Sequence, residues 1–255
     1  MSRTPGARVA GYDSFWIRCF FVAIGCFAAW WGIVEFSGQR FQLERVANRI
    51  IAGESFNSTV LDRQLSAAES IEKLINCRPA AIRSVAIIRL RIAEIAASST
   101  SKNAGADLEP LDSAIRSSLS CAPADPFLWL VLYWVKNVRG GLKPEYLRMS
   151  YDLAPNEGWV ALKRNAVALA DFEKLPPDLA ALAINEFLAL INNGFYQQAV
   201  EILSGPAWPI RDKLLQHIAS LPLRSREGIA RIVYQKNLGI IIPGVEPPDS
   251  KPRWR

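Results

Sequence analysis

The run CFFVAIGCFAAWWGIV, residues 19–34, carries no charged side chain and ends close to a pair of tryptophans. Widened to residues 15–34 it is 20 residues long with one charge, Arg18. A bilayer core of about 30 Å needs roughly 20 predominantly apolar helical residues. Arg18 lies one turn from the start, where its alkyl stem follows the helix and its guanidinium reaches the headgroups. Phe15 and Trp16 stand at one end, Trp30 and Trp31 at the other. Rings with one wet and one dry edge favour those two interfaces. A core helix of a soluble protein carries a polar stripe, and this run has none. The expectation is an uncleaved transmembrane helix over 15–34, preceded by a short tail, 1–14.

Two cleaved forms compete with that reading. A secretory signal peptide needs small residues at a cleavage site behind the apolar run, but this run closes on Trp30, Trp31, Ile33 and Val34. VAIGC resembles a lipobox, with Gly25 directly before Cys26, but Ala23 stands where leucine is usual. Cleavage there would also leave CFAAWWGIV at the new amino terminus with nothing to cover it.

Charge does not orient the span. Arg3, Arg8 and Arg18 precede or open it, and Arg40, Arg45 and Arg49 follow it, a tie under the positive-inside rule. The short basic amino-terminal tail is shaped like the n-region of a signal-anchor. Cys77 and Cys121 are able to pair in an oxidising compartment. Both point to a tail in the cytoplasm and a large domain outside it, the periplasm in a bacterial inner-membrane protein.

Beyond the span, about half of the whole chain being apolar excludes disorder for most of it. The net charge of +6 is scattered, with no run of five Lys or Arg and no aromatic–basic motif of the RRM type. Nucleic acid is therefore not the expected partner. A basic surface toward anionic headgroups or acidic glycans, or plain solvated helix faces, accounts for the charge.

Residues 35–57 read as a juxtamembrane segment in which Phe41, Val46 and Ile50 suit a short amphipathic helix. From Ser58 to Ile75, Leu61, Leu65, Ala68, Ile71 and Ile75 fall on one helical face. Three later segments then share a plan of helix, corner and helix, with Pro79, Pro123 and Pro155 at the corners. Proline suits the first turn of the second helix, where its fixed φ and missing N–H cost nothing. The corners are 44 and 32 residues apart, and the polar loop SSTSKNAGAD, 98–107, fills the longer interval. A helical-hairpin repeat near 34 residues follows.

That period, together with GFYQQAVEIL at 194–203, resembles the tetratricopeptide family. Gly194, Tyr196 and Ala199 give the family's glycine, aromatic and alanine order; Gly194 relieves the turn and Ala199 lets two helices approach. No repeat carries the full consensus, and the one containing Trp129 lacks the glycine and alanine at matching offsets. The resemblance covers roughly residues 58–235 and implies an all-α hairpin solenoid whose concave surface holds a peptide or protein.

FLWLVLYWV, 127–135, spans only about 13.5 Å as a helix. It reads as a helix buried on most sides, not a second membrane span. PPDLAALAINEFLALINNG is a helix with Asp178 as its N-cap, and Gly239 closes the last one. The repeat domain is thus expected over 58–239, with 240–255 as a proline-rich extended tail ending KPRWR, where Trp254 lies between two arginines.

Chemistry is sparse. The one histidine, His217, sits among Leu214, Leu215 and Ile218 and reads as a partly buried packing residue. The four cysteines lack CxxC spacing, and GxSxG, HExxH and phosphate-binding glycine loops are missing. No catalytic, cofactor or metal residue is identified. Cys77 and Cys121 stand two residues before Pro79 and Pro123. Either they bridge, closing a loop worth about 4 kcal/mol in the chain-entropy model, or they pack as small apolar side chains.

The expectation is a single-pass inner-membrane protein with a tetratricopeptide-like domain that scaffolds a protein or peptide partner, itself expected to be another membrane protein. Its layout is similar to accessory components of envelope polysaccharide assembly or export. The alternative is a glycan- or lipid-modifying enzyme with its site in the solenoid groove.

Overall fold

In the computed structural model the described residues are 12–36, 39–57, 60–61, 63–64, 77–98 and 108–246. They form eleven α-helices and no strand, an all-α fold. Two compact units divide the chain, residues 1–101 and 102–255.

In the first unit, α1 (Tyr12–Phe36) is one continuous 25-residue helix. Its described side chains, residues 18–30, are all exposed. Among the described residues no helix is long and apolar enough to cross a membrane. The α1 stretch with described side chains, 18–30, covers about 20 Å of a bilayer core of about 30 Å. Next, α2 (Gln39–Ile51) packs against α3 (Pro79–Ser98). Leu43 and Ala47 are fully buried, and Val46 and Ile50 flank them. This i, i+3, i+4, i+7 spacing makes one helical face apolar. Leu43, Leu61, Ala81 and Ile88 form the cluster, with Phe56, Ile92 and Ile95 against it. Gly53, at φ +89°, ends α2, a conformation that costs an L side chain about 1–2 kcal/mol. Of the helix expected over 58–75, only residues 60–61 and 63–64 are described, and they are helical.

The second unit runs α4 (Leu108–Cys121), α5 (Pro126–Val138), α6 (Pro144–Leu153), α7 (Gly158–Ala170), α8 (Pro177–Asn192), α9 (Tyr196–Ser204), α10 (Arg211–Ile218) and α11 (Leu223–Gln235). From α4 to α10 each helix packs on the next, and alternate helices also touch: α5 on α7, α7 on α9, α9 on α11 and α8 on α10. As expected, α5 is buried on most sides, through Phe127, Leu128, Leu130, Val131, Leu132, Tyr133 and Val135. Asp171, buried beyond the end of α7, accepts hydrogen bonds from Tyr133 (3.2 Å) and Asn137 (2.6 Å) of α5. Asp112 on α4 is paired with Lys136 at 2.8 Å and Arg116 at 2.9 Å. Burial would raise its carboxyl, but these partners outweigh burial and hold it below its ordinary value.

Four expectations change here. Pro79 does open α3, but Pro123 and Pro155 lie in turns three residues ahead of α5 and α7. At the first corner Asp125 takes the N-cap, accepting from the N–H groups of Phe127 and Leu128 at 3.1 Å, and Pro126 takes the first helical position. Asp178 is not the cap of α8, because Pro177 claims the first position and leaves Asp178 inside the first turn, ion-paired with Arg148. His217 is exposed, on the outer side of the helix that buries Leu214 and Ile218. The segment after Gly239 does not start as a free tail. Ile240 and Ile242 are buried, and Arg226 donates to the carbonyl of Pro243 at 2.8 Å. The KPRWR end lies outside the described residues.

Candidate functional site

A stripe down α8 lines a cleft in the second unit. Leu182, Asn185, Glu186, Ala189 and Leu190 recur at helical spacing and continue to Asn193, one position beyond the helix. Facing them are Tyr151 and Asp152 at the end of α6, Pro155 and Asn156 in the turn, and Gly158 and Ala161 on α7. Phe195 closes the far end, and the cleft has a volume of about 990 Å³. That is at the top of the range of about 300–1,000 Å³ for ligand sites.

The wall of this cleft is held by a buried ionic knot. Arg164 of α7 is fully buried and meets Glu186 of α8 at 2.5 Å through Nη2 and 3.1 Å through Nε. Its Nη1 donates to the Ser150 carbonyl at 2.5 Å, and Nη2 donates also to the Ala154 carbonyl at 3.1 Å. The guanidinium lies 4.1 Å over the ring of Tyr151, whose hydroxyl donates to Glu186 at 3.2 Å. A planar five-donor fork suits this many acceptors. Burial pushes the Glu186 carboxyl above its ordinary value, against the pull of Arg164. Burial also drives the Tyr151 phenol up, keeping it a neutral donor.

Sequence reading missed this knot, although a signal was there. Val160, Ala161, Asn165 and Ala168 share the buried face of α7 with Arg164. Leu179, Ala183, Phe187 and Leu190 do the same for Glu186, which is itself nearly buried. A cation and an anion, each set in an apolar helical stripe, are candidates to meet.

The rest of the cleft is uncharged amide and hydrocarbon. Asn156 and Asn185 are exposed and have no hydrogen-bond partner among the described residues. Asn193 donates to the Ala189 carbonyl at 2.8 Å, leaving its own oxygen to accept. Such amides offer both donors and acceptors. With Glu186 occupied, Asp152 is the only other acid on the lining, so there is no facing carboxylate pair for acid–base work. Among the described residues no group of three or more His, Cys, Asp and Glu is placed to hold a metal ion.

Of the residues singled out in sequence, Pro155 lines the cleft and the others lie elsewhere. Cys77 and Cys121 are each disulfide-bonded, and Cys19 and Cys26 are free. Trp30 is 68% exposed, while the side chains of Phe15, Trp16 and Trp31 lie outside the described residues, within α1. Trp129 is half-buried, not a core aromatic. Its Nε1 donates to the Pro123 carbonyl at 2.7 Å and its ring packs on Tyr146. The polar edge of indole needs a partner, and the corner supplies it. Gly194 adopts φ +85° between α8 and α9, Ala199 is fully buried, and Tyr196 packs on Gly228. Comparison with family models, with curated proteins and with solved structures finds no match to this chain.

Proposed function

We propose that this chain is a membrane-anchored helical scaffold that holds an extended segment of a partner protein in the cleft between the α6–α7 corner and α8. The observation that carries the reading is the cleft lining. Unpartnered Asn156 and Asn185 stand beside Leu182, Ala189 and Phe195, which suits a backbone with amides to satisfy and small side chains to cover. From Leu182 to Asn193 the stripe is about 16 Å long, room for about five extended residues. The ring of Tyr151 is buried and turned to Arg164 and Glu186, which leaves Phe195 as the partly exposed aromatic of the lining.

The packing of alternate helices α5, α7, α9 and α11 supports a tetratricopeptide-like hairpin solenoid as the scaffold. The exposed Phe20, Phe21, Val22, Phe27 and Trp30 of α1 support the anchor, since a lipid phase covers such a surface without loss. Disulfide-bonded Cys77 and Cys121 support a compartment outside the cytoplasm. Anchoring raises the effective concentration of the module beside a membrane partner. Envelope polysaccharide assembly or export is the client class proposed for the first genetic test.

The test of the cleft is a display library of unstructured heptapeptides panned against the full chain. Retained peptides should be lost from Asn156→Ala/Asn185→Ala and from Ala189→Trp, which fills the cleft. A library that yields no cleft-dependent peptide overturns the reading. The anchor is tested by carbonate extraction, which should leave the full-length chain in the membrane pellet.

A further inference from the structure

We infer that the cleft selects a cationic segment, with Asp152 as the residue that pairs its Lys or Arg. This rests on the peptide-binding reading and adds the chemistry of the partner. The lining carries two acids, Asp152 and Glu186, and no Lys, Arg or His. Glu186 is internally neutralised by Arg164. Each nitrogen of that guanidinium is already committed, to Glu186, Ser150 or Ala154, so Arg164 is not free for a carboxylate of the ligand. Asp152 is exposed and has no ion-pair partner among the described residues.

Backbone dipoles act in both directions at this rim. The cleft is bordered by the carboxyl ends of α6, at Tyr151 and Asp152, and of α8, at Leu190 and Asn193. Helix carboxyl ends carry partial negative charge and favour cations. Two amino ends oppose them, that of α9 at Phe195 and that of α7 at Gly158, where Glu157 occupies the N-cap position and supplies its own negative charge. With the helix ends balanced two against two, the uncompensated Asp152 carboxylate on a lining without Lys, Arg or His leaves the cleft negative. A segment bearing Lys or Arg is drawn in, and one bearing Asp, Glu or a free carboxylate is repelled.

The experiment uses the full chain and three fluorescein-labelled heptapeptide pools, in which Lys, Glu or Gln is fixed at the centre and the flanks are mixtures of Ala, Ser, Asn and Leu. Fluorescence anisotropy should give the Lys pool at least about fivefold tighter binding than the Glu pool, the scale of one partly screened ion pair. Asp152→Asn should collapse that ratio toward one, and Asp152→Lys should invert it. Equal binding of the Lys and Glu pools, or a ratio untouched by Asp152→Asn, overturns the charge selection while cleft binding stands. If none of the pools binds, or Ala189→Trp binds them all like the parent, the peptide-binding reading itself fails. Cleft-dependent binding of chitohexaose in place of peptide overturns both.

Discussion

The ring of Tyr196 on α9 lies against Gly228 on α11, so close that a Cβ built on Gly228 falls 2.4 Å from Tyr196 Cζ. Small residues let helices approach, and here an aromatic on one helix uses the space left by glycine on the other. Alanine is the better helix former by about 1 kcal/mol, so an isolated helix would gain from Gly228→Ala. Overpacking costs about 1–3 kcal/mol, and the contact is tight enough for that cost to prevail. The full chain should therefore lose about 1 kcal/mol in urea unfolding. In a Tyr196→Leu background the same change should be neutral or stabilising. A rise in the midpoint of the single variant would mean the ring moves aside freely.

Arg164→Met should be far more damaging. It leaves Glu186 buried without its cation, and breaking a buried pair costs about 3–5 kcal/mol out of a typical domain stability of about 5–15 kcal/mol. The Glu186 carboxyl is raised above its ordinary 4.5 by burial. A raised carboxyl is most favourable protonated, so its contribution to stability is greatest below 4.5 and declines as pH rises through the folded value. Arg164 limits that decline in the parent. The deficit of Arg164→Met should therefore be largest near neutral pH and shrink as pH falls toward about 4.5. The share due to the hydrogen bonds lost at the Ser150 and Ala154 carbonyls should persist at every pH. A deficit constant from pH 7 to pH 4.5 would show that Glu186 carries none of it.

Periodicity made the helices legible and left their ends and their polar cores obscure. The apolar runs of α5 and α8 are long and bounded by proline or glycine, so their existence follows from burial alone. Their first residues depend on a contest between caps. Asp125 and Pro126 displaced Pro123 from the helix, and Pro177 displaced Asp178 from the cap. Arg164 and Glu186 sit on apolar stripes of two helices, but only packing α7 on α8 turns two isolated charges into one knot. The cleft was expected only as a concave surface of the solenoid, because its lining comes from three helices and two turns, and no short motif holds it.

Cys77 and Cys121 are the disulfide-bonded cysteines of the chain, and Cys19 and Cys26 the free thiols. Alkylation of the denatured, unreduced full chain should label two thiols, both within residues 19–26. A non-reduced digest should contain the Cys77 peptide joined to the Cys121 peptide. Closing a loop of that length restricts the unfolded chain by about 4 kcal/mol, so reductant should lower the urea midpoint. Four alkylatable thiols in protein isolated from membranes would remove both the bridge and the argument for an oxidising compartment.

The segment 240–246 looks in sequence like the start of a proline-rich tail, yet it is folded onto the second unit. Ile240 is 6% exposed and Ile242 fully buried. Arg226 clamps the strand of chain from one side, donating to the carbonyls of Leu221 at 3.0 Å and Pro243 at 2.8 Å. Gly244, at φ +69°, turns the chain beside that guanidinium, where a Cβ would meet Arg226 Nη1. Periodicity fails here because alternate burial of Ile240 and Ile242 spans only three residues, too short to register. Truncation after Gly239 should remove both isoleucines and destabilise the full chain by several kcal/mol, since burial of one such side chain is worth about 2–5 kcal/mol by truncation to alanine. Ile242→Ala alone should cost about 2–5 kcal/mol, and Ile241→Ala, at a 70% exposed neighbour, almost nothing. Equal urea midpoints for Ile242→Ala and Ile241→Ala would show that the segment does not dock in solution.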